Sequence, residues 1–153
     1  MMNSVALTQF EVAKMVLQMN LEGVTHEESL ISPASGGNCL NWVVGHLVSA
    51  YNKLLPGIGG ESVWDAERQA LYDRGSDPIL AERAVPFDLL MADFAAAHGR
   101  VVERVAALTA NELAAPAPYS PVNNPDETLG SLINLLAFHQ SYHTGQTGLL
   151  RRV

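Results

Sequence analysis

The stretch TLGSLINLLAFHQSYHTGQTGLLRRV, Thr128 to Val153, decides the fold. Thr128 is a residue type whose side-chain oxygen caps a helix N-terminus. Asp126 and Glu127 ahead of it favour the positive end of the helix dipole, and Arg151 and Arg152 suit the negative end. No proline interrupts the run. Leu132, Leu136, His139, His143, Gln146 and Leu150 recur at three- and four-residue spacing and share one face of a helix. The apolar stripe that should enter a core is therefore broken by two imidazoles one turn apart.

Three more segments carry the same period as one works outward. The helix before it starts at Pro86, a residue suited to a first turn. It continues through Phe87, Leu90, Met91, Phe94, Val101, Val105 and Leu108. Pro116, Pro118, Pro121 and Pro125 separate it from the last helix. A second helix runs from about Asn38 to Leu55, with Leu40, Val43, Val44, Leu47, Ala50, Tyr51 and Leu54 apolar. Pro56-Gly57 and Gly59-Gly60 end it. The first helix spans Ser4 to Met19, with Ser4 as N-cap and Leu7, Phe10, Lys14 and Leu17 on its stripe. A crossover, Pro56 to Val85, joins helices two and three and holds a short helix near Trp64 to Tyr72. No period-two run of useful length occurs. The expected fold is all-α: one domain over residues 1–153, a four-helix bundle. The long crossover between helices two and three lets them run parallel, in up-down-down-up order.

Composition agrees. Hydrophobic residues make up 48% of the 153 and charged residues 16%, enough to bury a core and too apolar for disorder. A net charge of −7, with the nine Lys and Arg scattered, offers no field for nucleic acid. No apolar run reaches the ~18–20 residues of a membrane span. Cys39 is alone, so no intramolecular disulfide exists, and the N-terminus lacks signal-peptide character. These features place the chain in a reducing cytoplasm.

Five histidines occur: His26, His46, His98, His139 and His143. The spacing of His139 and His143 stacks both rings on one helix face, close enough to share an ion. Such a pair arises by chance in about one chain in eight with five histidines, so two separately hydrogen-bonded rings remain open. His46 adds weight. It lies in the apolar run Trp42-Val43-Val44-Gly45-His46-Leu47-Val48 of another helix, where an imidazole needs a partner. Three imidazoles from two helices suit Zn²⁺ or Ni²⁺ and leave a coordination position open. His26 sits beside Glu27 and Glu28 and reads as solvated. His98 reads as a surface or helix-packing residue.

The segment Asn41 to Leu47, with Trp42, His46 and Leu47 as W-x-x-x-H-L, resembles the DinB/YfiT-like family. So does His139 to Gln146, as H-x-x-x-H-x-G-Q, with Thr128 to Leu132 opening the last helix as that family's does. The resemblance spans nearly the whole chain. It implies a four-helix bundle, often homodimeric, binding a divalent metal, Zn or Ni, through His46, His139 and His143. It further implies a small-molecule substrate and, from characterised relatives, S-transfer or isomerisation with a low-molecular-weight thiol as cosubstrate.

A metal with an open position can activate a thiol or a water. Thiol S-transferase-like chemistry is the first expectation. A metal-dependent hydrolase is the alternative, weakened because no carboxylate shares the ligand face on helices two or four, though helix one, helix three or the crossover can supply one. A non-catalytic, stress-associated metal-binding bundle is the third. Gln146, Tyr142, Trp42 and Tyr51 are the candidates to orient a ligand or line a pocket. Cys39 at a helix start reads as a buried, inert thiol.

Overall fold

Helices account for every regular element. The computed structural model describes residues 2–152, with side chains from Ser4 to Arg152. In chain order these elements are α1 (Met2–Leu21), α2 (His26–Ser29), α3 (Leu40–Leu54), a 3₁₀ turn (Leu55–Ile58), α4 (Ala66–Ala70), α5 (Phe87–Ala107), α6 (Ala110–Ala114) and α7 (Leu129–Leu150). Among the described residues there is no strand, only an isolated bridge between Pro116 and Thr128. Among the described residues no helix is long and apolar enough to cross a membrane.

The four long helices pack as neighbours: α1 on α7, α3 on α5, α1 on α5 and α3 on α7. Each contributes one stripe to a shared core. Ala6, Phe10, Ala13, Leu17 and Leu21 come from α1; Val43, Val44, Leu47, Val48, Tyr51 and Leu54 from α3; Leu90, Phe94, Ala97, Val101 and Val105 from α5; Leu132, Ile133, Leu136 and Ala137 from α7. Burying each of the larger of these side chains stabilises the fold by about 1.5–3 kcal/mol. The short helices begin on side-chain caps. Thr25 with Glu28 and Thr109 with Glu112 form reciprocal capping boxes, and Asp65 caps α4.

Several expectations shift in detail. The first helix begins at Met2, so Ser4 lies inside it, its carbonyl accepting from the Thr8 hydroxyl at 2.9 Å. Lys14 is off the core stripe, with Ala13 in its place; the long cation stays half-buried beside Glu11. The second helix ends at Leu54 and tightens into the 3₁₀ turn, which Gly59 closes at a left-handed φ of 73°. Pro86 is the N-cap of α5 rather than its first residue. The short crossover helix is α4 alone.

The crossover does not loop free. The Asn52 amide donates to Trp64 O (3.0 Å) and to Gln69 Oε1 (2.8 Å), and its carbonyl accepts Val63 N–H (2.7 Å) and Trp64 N–H (3.1 Å). One buried side chain of α3 thus satisfies backbone that would otherwise be orphaned, as buried polar groups require. This lays the crossover against α3.

Candidate metal centre

Two helices deliver three imidazoles to one point. α7 starts on Thr128, whose hydroxyl accepts Ser131 N–H at 3.2 Å. That start fixes the register placing His139 and His143 on successive turns. α3 brings His46 opposite them, with Trp42 one turn earlier stacked on its ring at 4.7 Å between centroids and 10° between planes. His139 Nε2 lies 3.1 Å from His46 Nε2 and 3.1 Å from His143 Nε2. The three residues form a group whose ligand atoms all lie within 4.8 Å of one another.

The hydrogen bonds on the far sides of the rings decide what these nitrogens can do. His46 Nδ1–H donates to Tyr72 O at 2.8 Å, and His143 Nδ1–H donates to Gln146 Oε1 at 2.9 Å. A neutral imidazole has one N–H. Both Nε2 atoms are therefore bare lone pairs, and both face His139 Nε2. A single proton on His139 Nε2 cannot serve two acceptors. A cation between the three can. Zn–N bonds of about 2.0–2.1 Å set ligand nitrogens about 3.3 Å apart in a tetrahedron and about 2.9 Å apart at octahedral angles, and 3.1 Å falls between. The residues fit a divalent ion of the Zn or Ni class, and Tyr72 O and Gln146 orient two of the rings as outer partners do in metal sites.

Electrostatics keeps the ligands neutral. Burial pushes His139 down to about 3, with the neighbouring His143 and His46 adding to the effect. Burial also lowers His46, opposed by its bond to Tyr72 O, and lowers His143, opposed by Gln146. Neutral imidazole is the form that ligates.

The remaining sequence candidates divide. Trp42 is buried against His46, its indole N–H donating to Ser76 Oγ at 2.9 Å. Tyr142 is exposed and sets its ring edge-on to His143 at 5.2 Å. Tyr51 is elsewhere: its ring contacts are Phe10, Phe94 and His98, and its hydroxyl donates to Gln140 in the core. Five residues on from His46, it is rotated about 140° round the helix, which turns it inward. His98 is buried, not on the surface, and packs α5 on α1 by donating Nε2–H to Phe10 O at 3.2 Å. His26 is half-buried rather than solvated. Cys39 is buried, and burial pushes its thiol up, away from reactivity.

Sequence reasoning missed Tyr72, Asp73 and Gln140. Tyr72 and Asp73 sit in the crossover, where no periodicity marks them. Asp73 accepts from the Ser49 hydroxyl and pairs with Lys53 Nζ at 2.9 Å, one and two turns past His46 on α3. Gln140, next to His139, had a signal: an amide at a core position of an apolar helix.

A sequence model of the DinB superfamily matches residues 9–147. A crystal structure described as that of the conserved protein of locus from Enterococcus faecalis superposes with a TM-score of 0.74 over 97% of this chain and 94% of that one. The two are 16% identical, so that likeness is one of fold. No curated protein sequence matches. The matched span includes all three histidines of the cluster, the whole of α3 and α7 as far as Thr147, and the chain belongs to the DinB superfamily.

Proposed function

We propose that the protein holds one divalent metal ion, Zn or Ni, on His46, His139 and His143, and uses it for thiol S-transferase-like chemistry on a small molecule. The observation that carries this is the convergence of three Nε2 atoms, two of them stripped of hydrogen by their Nδ1 partners. With a coordination position open, such an ion lowers the pKa of a thiol or water and favours its anion at neutral pH. The chain's own residues hold the rings in place. Tyr72 O and Gln146 fix two tautomers, Trp42 covers one face of His46, and Tyr142 offers an exposed aromatic edge beside His143.

The test is turnover of a low-molecular-weight thiol with monochlorobimane by metal-loaded protein. A carbon–sulfur bond forms, chloride leaves and the thiol proton passes to solvent. The proposal expects thiol-dependent fluorescence that a chelator abolishes. No turnover with any of several cellular thiols would contradict it and favour a non-catalytic metal-binding bundle.

A metal-dependent hydrolase is the second reading. Asp73 favours it, a crossover carboxylate whose charge acts on His46. Ester hydrolysis lost in Asp73→Asn, with metal retained, is its mark.

The same reading extends to assembly and setting. We propose one domain whose long helices run up-down-down-up, working in a reducing cytoplasm as a homodimer. The dimer surface is the outer side of α1 and α7. α7 carries no Asp, Glu, Lys or Arg from Leu129 to Leu150. Val5, Val12, Met15, Met19, Phe138 and Leu149 are exposed on these two helices, and a groove of about 680 Å³ runs between them. Two helices about 30 Å long and about 10 Å apart present on the order of 600 Å² to a second copy, near the scale of a stable interface.

A further inference from the structure

We propose that Tyr72, seated on Gly45, is the positioning residue of the metal centre: it fixes the ring of His46 so that Nε2 is the atom offered to the ion. The proposal rests on the metal reading above and concerns how the site is held.

The segment Tyr72 to Ser76 is fastened to the His46 face of α3 at five points. Tyr72 O accepts His46 Nδ1–H at 2.8 Å. The Tyr72 hydroxyl donates to Asn41 Oδ1 at 2.9 Å and accepts Val85 N–H at 2.9 Å. Asp73 takes Ser49 and Lys53, and Ser76 takes the Trp42 indole at 2.9 Å. Asn41, Gly45 and Ser49 are four residues apart, one line along the helix. Trp42 and His46 form the parallel line beside it. The five contacts with α3 therefore run along the helix on both sides of the turn that carries the ligand.

Gly45 makes this approach possible. A Cβ there would collide with Cγ, Cδ1 and Cε1 of the Tyr72 ring. Tyr72 is fully buried, so its ring has nowhere to retreat. Glycine is thus required at this position by close approach, not by backbone angle. The aromatic ring lies against the backbone of the residue before His46, and the same tyrosine's carbonyl meets the imidazole. A hydrogen bond from a backbone carbonyl to Nδ1–H sets tautomer and orientation, and outer partners of this kind typically govern metal affinity by 10–100-fold.

A purely structural tyrosine would change stability alone. The experiment therefore measures zinc affinity by chelator competition, at equal folded fraction, for wild type, Gly45→Ala and Tyr72→Phe. Nitrogen-15 spectra of the His46 ring in metal-free protein accompany it. Tyr72→Phe keeps the ring and loses the hydroxyl anchors, so it tests the idea even if Gly45→Ala does not fold. The expected result is zinc binding weakened about tenfold or more in each folded variant, with the His46 proton no longer confined to Nδ1. Wild-type affinity and an unchanged His46 spectrum in folded variants would overturn the proposal alone. A wild-type protein that binds no zinc overturns the metal reading and this one with it.

Discussion

His46 Nε2 and His139 Nε2 lie 3.1 Å apart although 93 positions separate them in the chain. One belongs to α3 and the other to α7, so the cluster exists only when those helices are packed. Anything that binds the cluster binds the folded state and stabilises it by mass action.

Metal removal therefore lowers stability. At free zinc about 100 times its Kd, the gain is about 2.7 kcal/mol, or about 5–10 °C in Tm for a domain of this size. Differential scanning calorimetry with and without chelator measures it. An identical Tm under both conditions contradicts a site shared between helices.

Gln140 ties α7 to two other helices. It accepts the Tyr51 hydroxyl and donates to Phe10 O at 3.2 Å, all within the core. Gln140→Leu strands the Tyr51 hydroxyl, which burial already holds well above its usual pKa. The expected loss is about 1–3 kcal/mol in urea unfolding, with metal content unchanged. A loss of metal at full stability would place Gln140 in the site instead.

Acid acts through His98 as well as through the three clustered histidines, whose values burial also lowers. His98 Nε2–H is bonded to Phe10 O, its Nδ1 is buried with no hydrogen-bond partner, and burial lowers its pKa. Glu11 Oε1, at 3.8 Å, is the nearest charge, with Lys14 acting in the opposite sense. Between the lowered folded value and about 6.5 the unfolded chain binds a proton that the folded chain does not. Stability is thus fully present above about pH 6.5 and falls as pH drops below it, by at most about 1.4 kcal/mol per pH unit for one histidine. Urea midpoints of wild type and His98→Gln at pH 7.5 and 5.5 test this; the variant should show the shallower slope.

What the sequence made legible was local. The i, i+4 pair on α7 and His46 in an apolar turn of α3 follow from periodicity, and so do the four long helices. The short helices α2 and α6 were missed, yet Thr25 with Glu28 and Thr109 with Glu112 spell capping boxes that a search for start signals finds. Tyr72 was not legible. Its role depends on where a 28-residue connection between the 3₁₀ turn and α5 folds back, and no spacing encodes that. Lys14 was misplaced because a period alone does not separate it from its neighbour Ala13.

The outer face of α1 makes a separate prediction. Val12 is half-exposed beside the α1–α7 groove. Val12→Glu places a charge on a charge-poor surface and should shift a dimer to monomer in sedimentation equilibrium without changing helicity. A wild type that sediments as a monomer at all concentrations contradicts the proposed dimer.

Metal analysis of the purified protein beside His139→Ala tests the account most directly. His139 Nε2 is the nitrogen within 3.1 Å of both other ligands, so its removal should break the site. The account predicts near one zinc or nickel per wild-type chain and little in the variant, both folded. Unchanged, near-stoichiometric metal in His139→Ala would contradict it.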